Sequence, residues 1–454
     1  MGAVKRMGRR LLSSVLALAL PACSSAVTAR GLVHWVWSGA VTPNSAVVKA
    51  KLDPQEGAVR LRISGREIVP DVDDVDGVAV FRLDGLTPAT RYDYRVLWGD
   101  SSFLDGRFQT FAEGPMSFRF VFGSCATTGS NHPVFAAMES IEPLFTLHMG
   151  DFHYENIGTN DPARFRLAFD EVLASDRQSS LYRSAPIAYI WDDHDYGPDD
   201  SDRTSPAKPA ALATYDAIVP HYPLELHDDK PEDLHQAFTV GRVRFLLTDV
   251  RSHRVPDDAP DGPDKTMLGT AQREWLLDEI EAARGRYALV VWVNPVPWIT
   301  EPGSGHGWGR YDWERRYIAD RIRSAGMVNR LLMLSGDAHM VAIDDGTNSN
   351  FATDAPPGER GFPVMHAAPF DRYARHKGGP YSQGKAGRRI LFGLIQIQQF
   401  GLAEIHDDGN ILEVTLSGRN EHGDLLERLS LVLRCDASGC LPSNEHPLAD
   451  ENGR

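Results

Sequence analysis

Two different spacings of hydrophobic residues divide the chain. Over residues 31–111, apolar and polar side chains alternate in short runs separated by Pro, Gly and Asp, which is typical of strands with one buried face. Examples of these runs are LVHWVWSG, SAVVKAKL and VRLRISG. Because the runs follow one another without helical periodicity between them, we expect a small β-sandwich in this part of the chain.

One stretch of this segment, FRLDGLTPATRYDYRVLW, resembles a fibronectin type III repeat, in which a turn with Leu-x-Pro precedes a strand that carries tyrosines. Tyr92 and Tyr94 match those tyrosines. The resemblance implies that they tie a corner of the sandwich and have a structural function. We therefore predict a fibronectin III-like domain over residues 30–112.

Beyond residue 113, near-continuous apolar runs alternate with helical stretches, as in a parallel sheet covered on both faces. The predicted strands are FRFVFGSC, LFTLHMGD, IAYIWDD, VRFLLTDV, ALVVWVN and LLMLSGD, and the predicted helices are HPVFAAMESI, DPARFRLAFDEVLASD, GTAQREWLLDEIEAA and YDWERRYIADRIRSA. From residue 390, ILFGLIQIQQF, GLAEIHDDGN and ILEVTLSGRN predict antiparallel hairpins. The fold class is therefore α/β, with a second domain over residues 113–435 and a polar tail over 436–454.

Potential metal ligands lie at the C-terminal ends of five predicted strands, which is the edge where open α/β sheets bind ligands. These residues are Cys125, Asp151, Asp193, Asn294 and Asp337. Tyr154 follows Asp151 by three positions, and His339 follows Asp337 by two. Residues far apart in sequence are thus expected to meet at one edge.

Carboxylates combined with imidazole and a phenol form a hard-ligand set that suits trivalent iron, calcium or magnesium. Each motif alone is weak evidence, because Gly-Asp pairs arise by chance and an aspartate can simply cap a following helix or turn. The whole set at one sheet edge favours a metal centre. Bound cations would also offset the acidic cluster WDDHDYGPDDSD.

The order of the motifs is more specific than any single motif. Gly-Ser-Cys, Gly-Asp-x-x-Tyr, Trp-Asp-Asp-His-Asp and Gly-Asp-x-His follow one another, and TDVRSHR and TMLGTAQREWL stand before the last of them. Over residues 30–435, this order resembles the PhoD-like alkaline phosphatases, a branch of the calcineurin-like metallophosphoesterases. The resemblance implies a metallophosphoesterase-type α/β sandwich that hydrolyses phosphate esters by in-line attack of a metal-bound hydroxide.

The resemblance also implies the ligands of an iron(III) site. Asp151 would bridge two metals, and Cys125, Tyr154 and His339 would complete the iron site. A thiolate and a tyrosinate both suit trivalent iron. A ligand role would also explain why Cys125 has no expected disulfide partner.

A companion site, implied to hold calcium, would use Asp193 and Asp337. Asn294 stands at a strand end where many metallophosphoesterases have a histidine, and it would be either a calcium ligand or a donor to phosphate. The chain departs from the familiar members of the family after Asp-Asp-His, where it continues Asp-Tyr-Gly-Pro-Asp-Asp. Asp199 or Asp200 is either a further calcium ligand or a solvated loop residue.

Three residues are candidates for contact with substrate. His194, next to Asp193, would contact the phosphoryl group or protonate the leaving alkoxide, unless it is an ordinary loop histidine. The segment GSGHGWGRYDWERR is a candidate pocket wall, in which His306 and Arg310 would contact substrate.

Other functions remain open from the sequence. The same fold could act on diesters as a phosphodiesterase or a phospholipase D-like hydrolase. In another class, the chain could be a catalytically inactive binding protein of the cell envelope. A cysteine-nucleophile phosphatase is disfavoured, because CATTGSNHP lacks the arginine that would close a phosphate loop after Cys125.

The N-terminal residues 1–29 resemble an export signal, with a basic start, the apolar run Leu11–Leu20 and small residues after it. The pair Arg9-Arg10 resembles a twin-arginine signal, and LPAC, ending at Cys23, resembles a lipidation site. We expect a periplasmic or extracellular protein, either soluble or lipid-anchored.

The net charge of the chain bears on which partners it can bind. A net charge of −15 disfavours nucleic acid as a partner. We expect a phosphate-ester substrate and a monomeric protein.

Cys435 and Cys440 can close a small disulfide loop in an oxidising compartment.

Overall fold

A computed structural model describes residues 2, 33–53, 59–75, 77–99, 102–227, 230–303, 307–386 and 398–443. Its strands are β1 (Val33–Gly39), β2 (Ser45–Leu52), β3 (Val59–Ile63), β4 (Arg66–Ile68), β5 (Asp71–Val75), β6 (Val78–Asp84), β7 (Arg91–Trp98), β8 (Ser102–Gln109), β9 (Phe118–Gly123), β10 (Thr146–Met149), β11 (Ile187–Ile190), β12 (Leu226–His227), β13 (Lys230–Pro231), β14 (Gln236–Val240), β15 (Val243–Leu247), β16 (Leu289–Asn294), β17 (Leu331–Ser335), β18 (Val341–Asp344), β19 (Val364–Ala367), β20 (Lys385–Ala386), β21 (Gln399–Asp407), β22 (Leu412–Asn420), β23 (Leu425–Asp436) and β24 (Gly439–Pro442). Its α-helices are α1 (Pro133–Ser140), α2 (Pro162–Ala174), α3 (Asp176–Ser184), α4 (Asp193–Tyr196), α5 (Lys208–Ile218), α6 (Thr270–Ala282) and α7 (Asp312–Ser324), with 3-10 turns at Trp308–Tyr311 and Val328–Arg330.

The N-terminal strands form the two layers that the alternating pattern predicts. One layer is the four-stranded sheet β4-β3-β7-β8, and the other is the run β1-β2-β6-β5. Strand β1 contacts β7 and β8 of the opposite layer. The hydroxyl of Tyr92 accepts a hydrogen bond from the backbone N–H of Thr87 at 2.8 Å, and Tyr94 is buried. Both tyrosines thus have the structural function expected of them, and the β-sandwich is confirmed.

The run β1-β2-β6-β5 continues into an eleven-stranded sheet. Its order is β24-β23-β22-β21-β9-β10-β11-β1-β2-β6-β5, and β9, β10 and β11 are parallel. One parallel pair, Gly39 with Ile187, joins β1 to β11. The described residues from 33 onward belong to one compact unit, so the boundary near residue 112 stays a prediction.

A second sheet has the order β14-β15-β16-β17-β19-β18-β20, in which β15, β16, β17 and β19 are parallel. Rings from both sheets pack between them. The Phe120 and Phe145 rings stack with centroids 4.7 Å apart, and Phe245 of β15 meets each of them edge-on at 5.5 Å. All six predicted strands and all four predicted helices of this region are present. The α/β fold class is therefore confirmed.

The C-terminal hairpins are also present, as β21, β22 and β23, although residues 387–397 of the predicted strand ILFGLIQIQQF lie outside the described part of the chain. Cys435 and Cys440 form the predicted disulfide. This bond clips β24 to β23, so residues 439–442 of the predicted tail belong to the sheet. Within the described ranges, we find no helix that is both apolar and long enough to pass through a bilayer.

Candidate metal centre

The predicted ligands follow strands of both sheets. Cys125 and Asp151 come after β9 and β10 of the larger sheet, whereas His339 comes after β17 of the second sheet. Ligand atoms of these three residues nevertheless lie within 4.8 Å of one another. The packing of the two sheets against each other therefore creates the site, which neither sheet contains alone.

The backbone at this edge adopts a conformation that side chains rarely allow. The φ angles are positive at Cys125 (64°), Asp151 (56°), Asp337 (51°) and His339 (50°). Each such residue costs roughly 1–2 kcal/mol, and strain of this type concentrates at functional sites. The surrounding fold thus holds four predicted ligands in strained positions.

Gly150 permits the close approach of two ligand-bearing loops. A Cβ atom added there would lie 2.3 Å from the Cβ of Asp192, and φ is 92°. We expect Gly150→Ala to lower the free energy of unfolding by about 3 kcal/mol or more, because neither of the two loops can shift without moving the site. Gly85→Ala is the control, since φ is 68° there but the space is open, and strain alone costs about 1 kcal/mol. Equal losses in urea denaturation would contradict this steric account.

Two groups of side chains are close enough to hold a cation, and Asp151 belongs to both. The first contains Cys125, Asp151 and His339, and the second contains Asp151, Asp193 and His194. Oδ1 of Asp151 is buried and has no hydrogen-bond partner among the described residues. A shared carboxylate with a buried, unsatisfied oxygen fits a ligand that bridges two metals.

Tyr154 and His339 complete the first group. The Tyr154 hydroxyl donates to Oδ2 of Asp151 at 2.7 Å and lies 3.3 Å from Nε2 of His339. Nδ1 of His339 donates to the backbone oxygen of Tyr373, which leaves Nε2 directed at the group. This is the usual arrangement of a metal-binding histidine, whose second nitrogen donates to a carbonyl or carboxylate.

Burial and neighbouring negative charges raise the pKa values of three side chains in the first group. Burial raises the pKa of the Cys125 thiol well above its usual value, and the charge of Asp151 raises it further. Burial, followed by the charge of Asp193, raises the pKa of Asp151, and burial with Asp151 raises that of Tyr154. Thiolate, carboxylate and phenolate cannot coexist here without compensating positive charge, which a bound metal supplies.

Asp193 is held as a charged carboxylate in the second group. Its oxygens accept from the backbone N–H groups of His194 at 3.0 Å and Asp200 at 2.7 Å. Although burial alone raises its pKa, Arg251 lies 3.6 Å away and brings the pKa below its ordinary value. Asp200 thus contacts this ligand through its backbone.

Arg251 also neutralises Asp192, the first carboxylate of the acidic cluster. Nε of Arg251 lies 2.6 Å from Oδ1 of Asp192, and both side chains are 1% exposed. Asp195 accepts from the backbone N–H of Phe152 at 3.0 Å and from the Tyr189 hydroxyl. Asp192 and Asp195 therefore hold the loop in place, while Asp193 lies in the second cation-sized group.

His194 is oriented by a residue that motif reading missed. Nδ1 of His194 lies 2.7 Å from Oδ1 of Asn156, and its ring lies 4.1 Å from that of Tyr154. Burial lowers the pKa of His194, against the opposing charge of Asp193. With Nδ1 held by Asn156, Nε2 is available for substrate, although Asp199 lies 3.4 Å from it.

Asp337 lies beside the two groups but belongs to neither. Its Oδ1 pairs with Nζ of Lys377, and its Oδ2 is buried without a partner in the described part of the chain. Oγ of Ser124 accepts a hydrogen bond from the backbone N–H of Asp337 at 3.2 Å. The free oxygen could bind a cation, and the predicted companion site formed by Asp337 and Asp193 stays a prediction.

Three predicted residues are not brought to the groups by the described contacts. The side chain of Asn294 accepts from Trp308 at 3.2 Å and donates to the backbone oxygen of Val296 at 2.6 Å. Arg310 lies 3.6 Å from Asp257. His306 lies outside the described residues. The roles of these residues stay predictions.

Motif reading missed Asn156, Arg251, Lys377 and Arg372, whose guanidinium lies 3.9 Å from the centroid of the Tyr154 ring. Arg251 lies within the recognised segment TDVRSHR, but its charge gave no sign that Asp192 would be its partner. Lys377 comes from DRYARHKGGP, a loop with no hydrophobic period and no ligand spacing. Its basic residues are the only signal that could have pointed to an anionic substrate.

Two facing mixed sheets, with strand-end carboxylates, a thiol and a phenol gathered where they meet, define a metallophosphoesterase-type protein. A family model described as PhoD-like phosphatase matches residues 120–364. The chain belongs to this family of phosphatases. The predicted resemblance is therefore confirmed.

Individual relatives agree with this assignment. The chain is 24% identical over 311 residues to alkaline phosphatase D of Bacillus subtilis (strain 168), a match that covers 56% of this chain and 52% of that protein. It thus spans about half the length of the curated relative that it matches. A solved structure of PhoD covers 92% of both chains with 15% identity and a TM-score of 0.69, which supports the shared fold.

Proposed function

We propose that this protein hydrolyses phosphate esters at a metal centre built around Asp151. The observation that carries the proposal is that Asp151 is shared by two cation-sized groups and keeps a buried oxygen without a partner. Membership of the PhoD-like phosphatase family supports the same reaction. A phosphate ester is an anion, so its hydrolysis needs the positive charge that this site is built to hold.

The donor atoms fit two different cations. One set of donors suits iron(III). It consists of the sulfur of Cys125, a carboxylate oxygen of Asp151, the phenol oxygen of Tyr154 and an imidazole nitrogen of His339. A companion calcium site would use Asp193 and Asp337, with Asn294 as a further predicted ligand. When bound, the metals supply positive charge that activates a water molecule and stabilises the phosphoryl oxygens.

The chain's own residues would bind and orient the substrate. In the reaction, a water molecule would lose a proton to solvent as its oxygen bonds to phosphorus, the ester P–O bond would break in line with it, and the leaving alkoxide would take a proton. His194 would contact the phosphoryl group through Nε2, and it would donate that proton from Nε2 in its doubly protonated form, because Nδ1–H donates to Oδ1 of Asn156. Asn156 is a positioning residue. Arg310 and His306 remain predicted substrate contacts.

The ligand assignment can be tested by elemental analysis with a visible spectrum. We expect bound iron and a charge-transfer band that is lost or shifted in Tyr154→Phe and Cys125→Ser, since those residues would supply the coordinating phenolate and thiolate. Tyr92→Phe is the matched control, because Tyr92 lies in the sandwich corner. A spectrum unchanged in both ligand variants would overturn the iron assignment.

Export is proposed on separate grounds. The Cys435–Cys440 disulfide is typical of proteins that function in an oxidising compartment. Together with the signal-like residues 1–29, it supports a periplasmic or extracellular location. A lipid anchor at Cys23, export through a twin-arginine route and a monomeric state are further proposals, which mass spectrometry of the mature protein and its size in solution would test.

A further inference from the structure

The loop of residues 371–380, here called the basic loop, lies directly against the candidate metal centre. Nδ1 of His339 donates to the backbone oxygen of Tyr373, and the backbone N–H of Arg375 donates to the backbone oxygen of His339 at 2.9 Å. At its far end, the N–H of Gly379 donates to the backbone oxygen of Ile299 at 2.8 Å. The loop is therefore fixed to the same residue that is predicted to bind metal.

Lys377 projects from this loop into the site. Its ammonium group pairs with Oδ1 of Asp337, and the two side chains are only 18% and 5% exposed. Lys377 also interacts electrostatically with Asp193 and Cys125, which belong to the two different cation groups. Its positive charge thus acts on members of both groups.

The chemistry of Lys377 leaves it able to bind an anion. A lysine ammonium has three N–H donors, and Asp337 accepts from one of them. The remaining donors are available to an oxygen of the substrate.

Arg372 adds a second cation on the same loop. Its guanidinium lies 3.9 Å from the ring centroid of Tyr154, and its Nε is buried without a hydrogen-bond partner among the described residues. Arg372 thus borders the first group, while Lys377 lies beside Asp337. Two positive side chains from one loop flank a site whose protein ligands are mostly acidic.

We propose that Lys377, together with Arg372, binds the phosphoryl group of the substrate and makes the enzyme prefer dianionic monoesters to monoanionic diesters. This inference rests on the proposed function. Each positive charge attracts a dianion about twice as strongly as a monoanion at the same position. If the loss of one positive charge weakens the binding of a diester by a given factor, it should therefore weaken the binding of a monoester by about the square of that factor.

The test compares Lys377→Gln with the parent protein on an aryl phosphate monoester and a bis-aryl phosphate diester. We expect kcat/KM to fall about 100-fold for the monoester and about tenfold for the diester. Lys377→Arg should recover part of the monoester activity, because it restores the charge. Lys385→Gln is the matched control, since it removes an exposed lysine of β20 and should leave both rates unchanged.

A second readout is independent of turnover. Calorimetry of the metal-loaded proteins with inorganic phosphate should show binding about 100-fold weaker in Lys377→Gln and unchanged in Lys385→Gln, with equal metal content in all samples. Equal losses on both esters, unchanged phosphate affinity or loss of metal from Lys377→Gln would overturn this role. If the parent protein binds phosphate through Lys377 but hydrolyses neither ester, the proposed function fails and the binding role stands.

Discussion

Replacing Asp151 by asparagine is expected to lower kcat/KM for an aryl phosphate by about 10³-fold or more and to remove bound metal. Asp151 contributes to both cation groups, so the substitution takes one negative ligand from each. An amide also cannot supply two equivalent anionic oxygens to a bridge. Losing a single well-placed electrostatic group costs about 10²–10³-fold in other enzymes, and this residue serves two positions.

The matched control is Asp278→Asn on helix α6, where the aspartate is exposed. Both variants lose one carboxylate charge, so a general effect of net charge would change them equally. Elemental analysis and steady-state rates measured on the same samples connect the loss of metal to the loss of activity. Retention of full metal content and activity within threefold in Asp151→Asn would exclude the bridging role.

The largest effect on stability is expected from Arg251→Met. Arg251 and Asp192 are both 1% exposed, and the variant leaves Asp192 as a buried carboxylate with no cation beside it. Oδ2 of Asp192 already has no partner among the described residues, and the backbone N–H of Asp195, from which the Asp192 side chain also accepts, carries no charge that could replace the guanidinium. Breaking a buried pair by removal of one partner costs about 3–5 kcal/mol.

Urea denaturation of both proteins in the presence of a chelator measures this loss without a contribution from bound metal. Asp192→Asn combined with Arg251→Met should recover part of the stability, because the uncompensated charge is removed. Arg95→Met is the control, since Arg95 pairs with Asp105 on the exposed face of the sandwich and should show no measurable change. A free energy of unfolding equal to that of the parent in Arg251→Met would show that the pair contributes nothing.

Hydrophobic pattern alone places much of this centre. Cys125, Asp151 and Asp337 could be predicted as strand-end residues because each follows a short apolar run typical of a buried strand. The expectation that all of them share one sheet edge was wrong, because Cys125 and Asp151 follow β9 and β10 of the larger sheet, whereas Asp337 follows β17 of the second sheet. The approach of Cys125 to His339 could not be predicted, since it depends on how two separate sheets pack. The linear order of the motifs identified the family before any geometry was known.

Partners of the acidic cluster were beyond prediction for a different reason. Arg251 is 59 residues from Asp192 along the chain, and no periodicity links them. Lys377 lies in a loop whose path is fixed by backbone hydrogen bonds to His339, which side-chain pattern does not reveal. Helix α3, with the sequence DRQSSLYRS, was also missed, because Leu181 and Tyr182 are its only apolar residues and two such residues give no hydrophobic period.

Metal removal and restoration test the central claim most directly. The account predicts that chelator-treated protein has no measurable hydrolysis of an aryl phosphate, and that iron(III) with calcium restores it in proportion to the metal bound. A diester measured beside the monoester separates phosphomonoesterase from phosphodiesterase activity. Two results would contradict this prediction. One is full hydrolysis by the metal-free protein, and the other is no hydrolysis by protein that has bound both metals, which is the behaviour of an inactive binding protein.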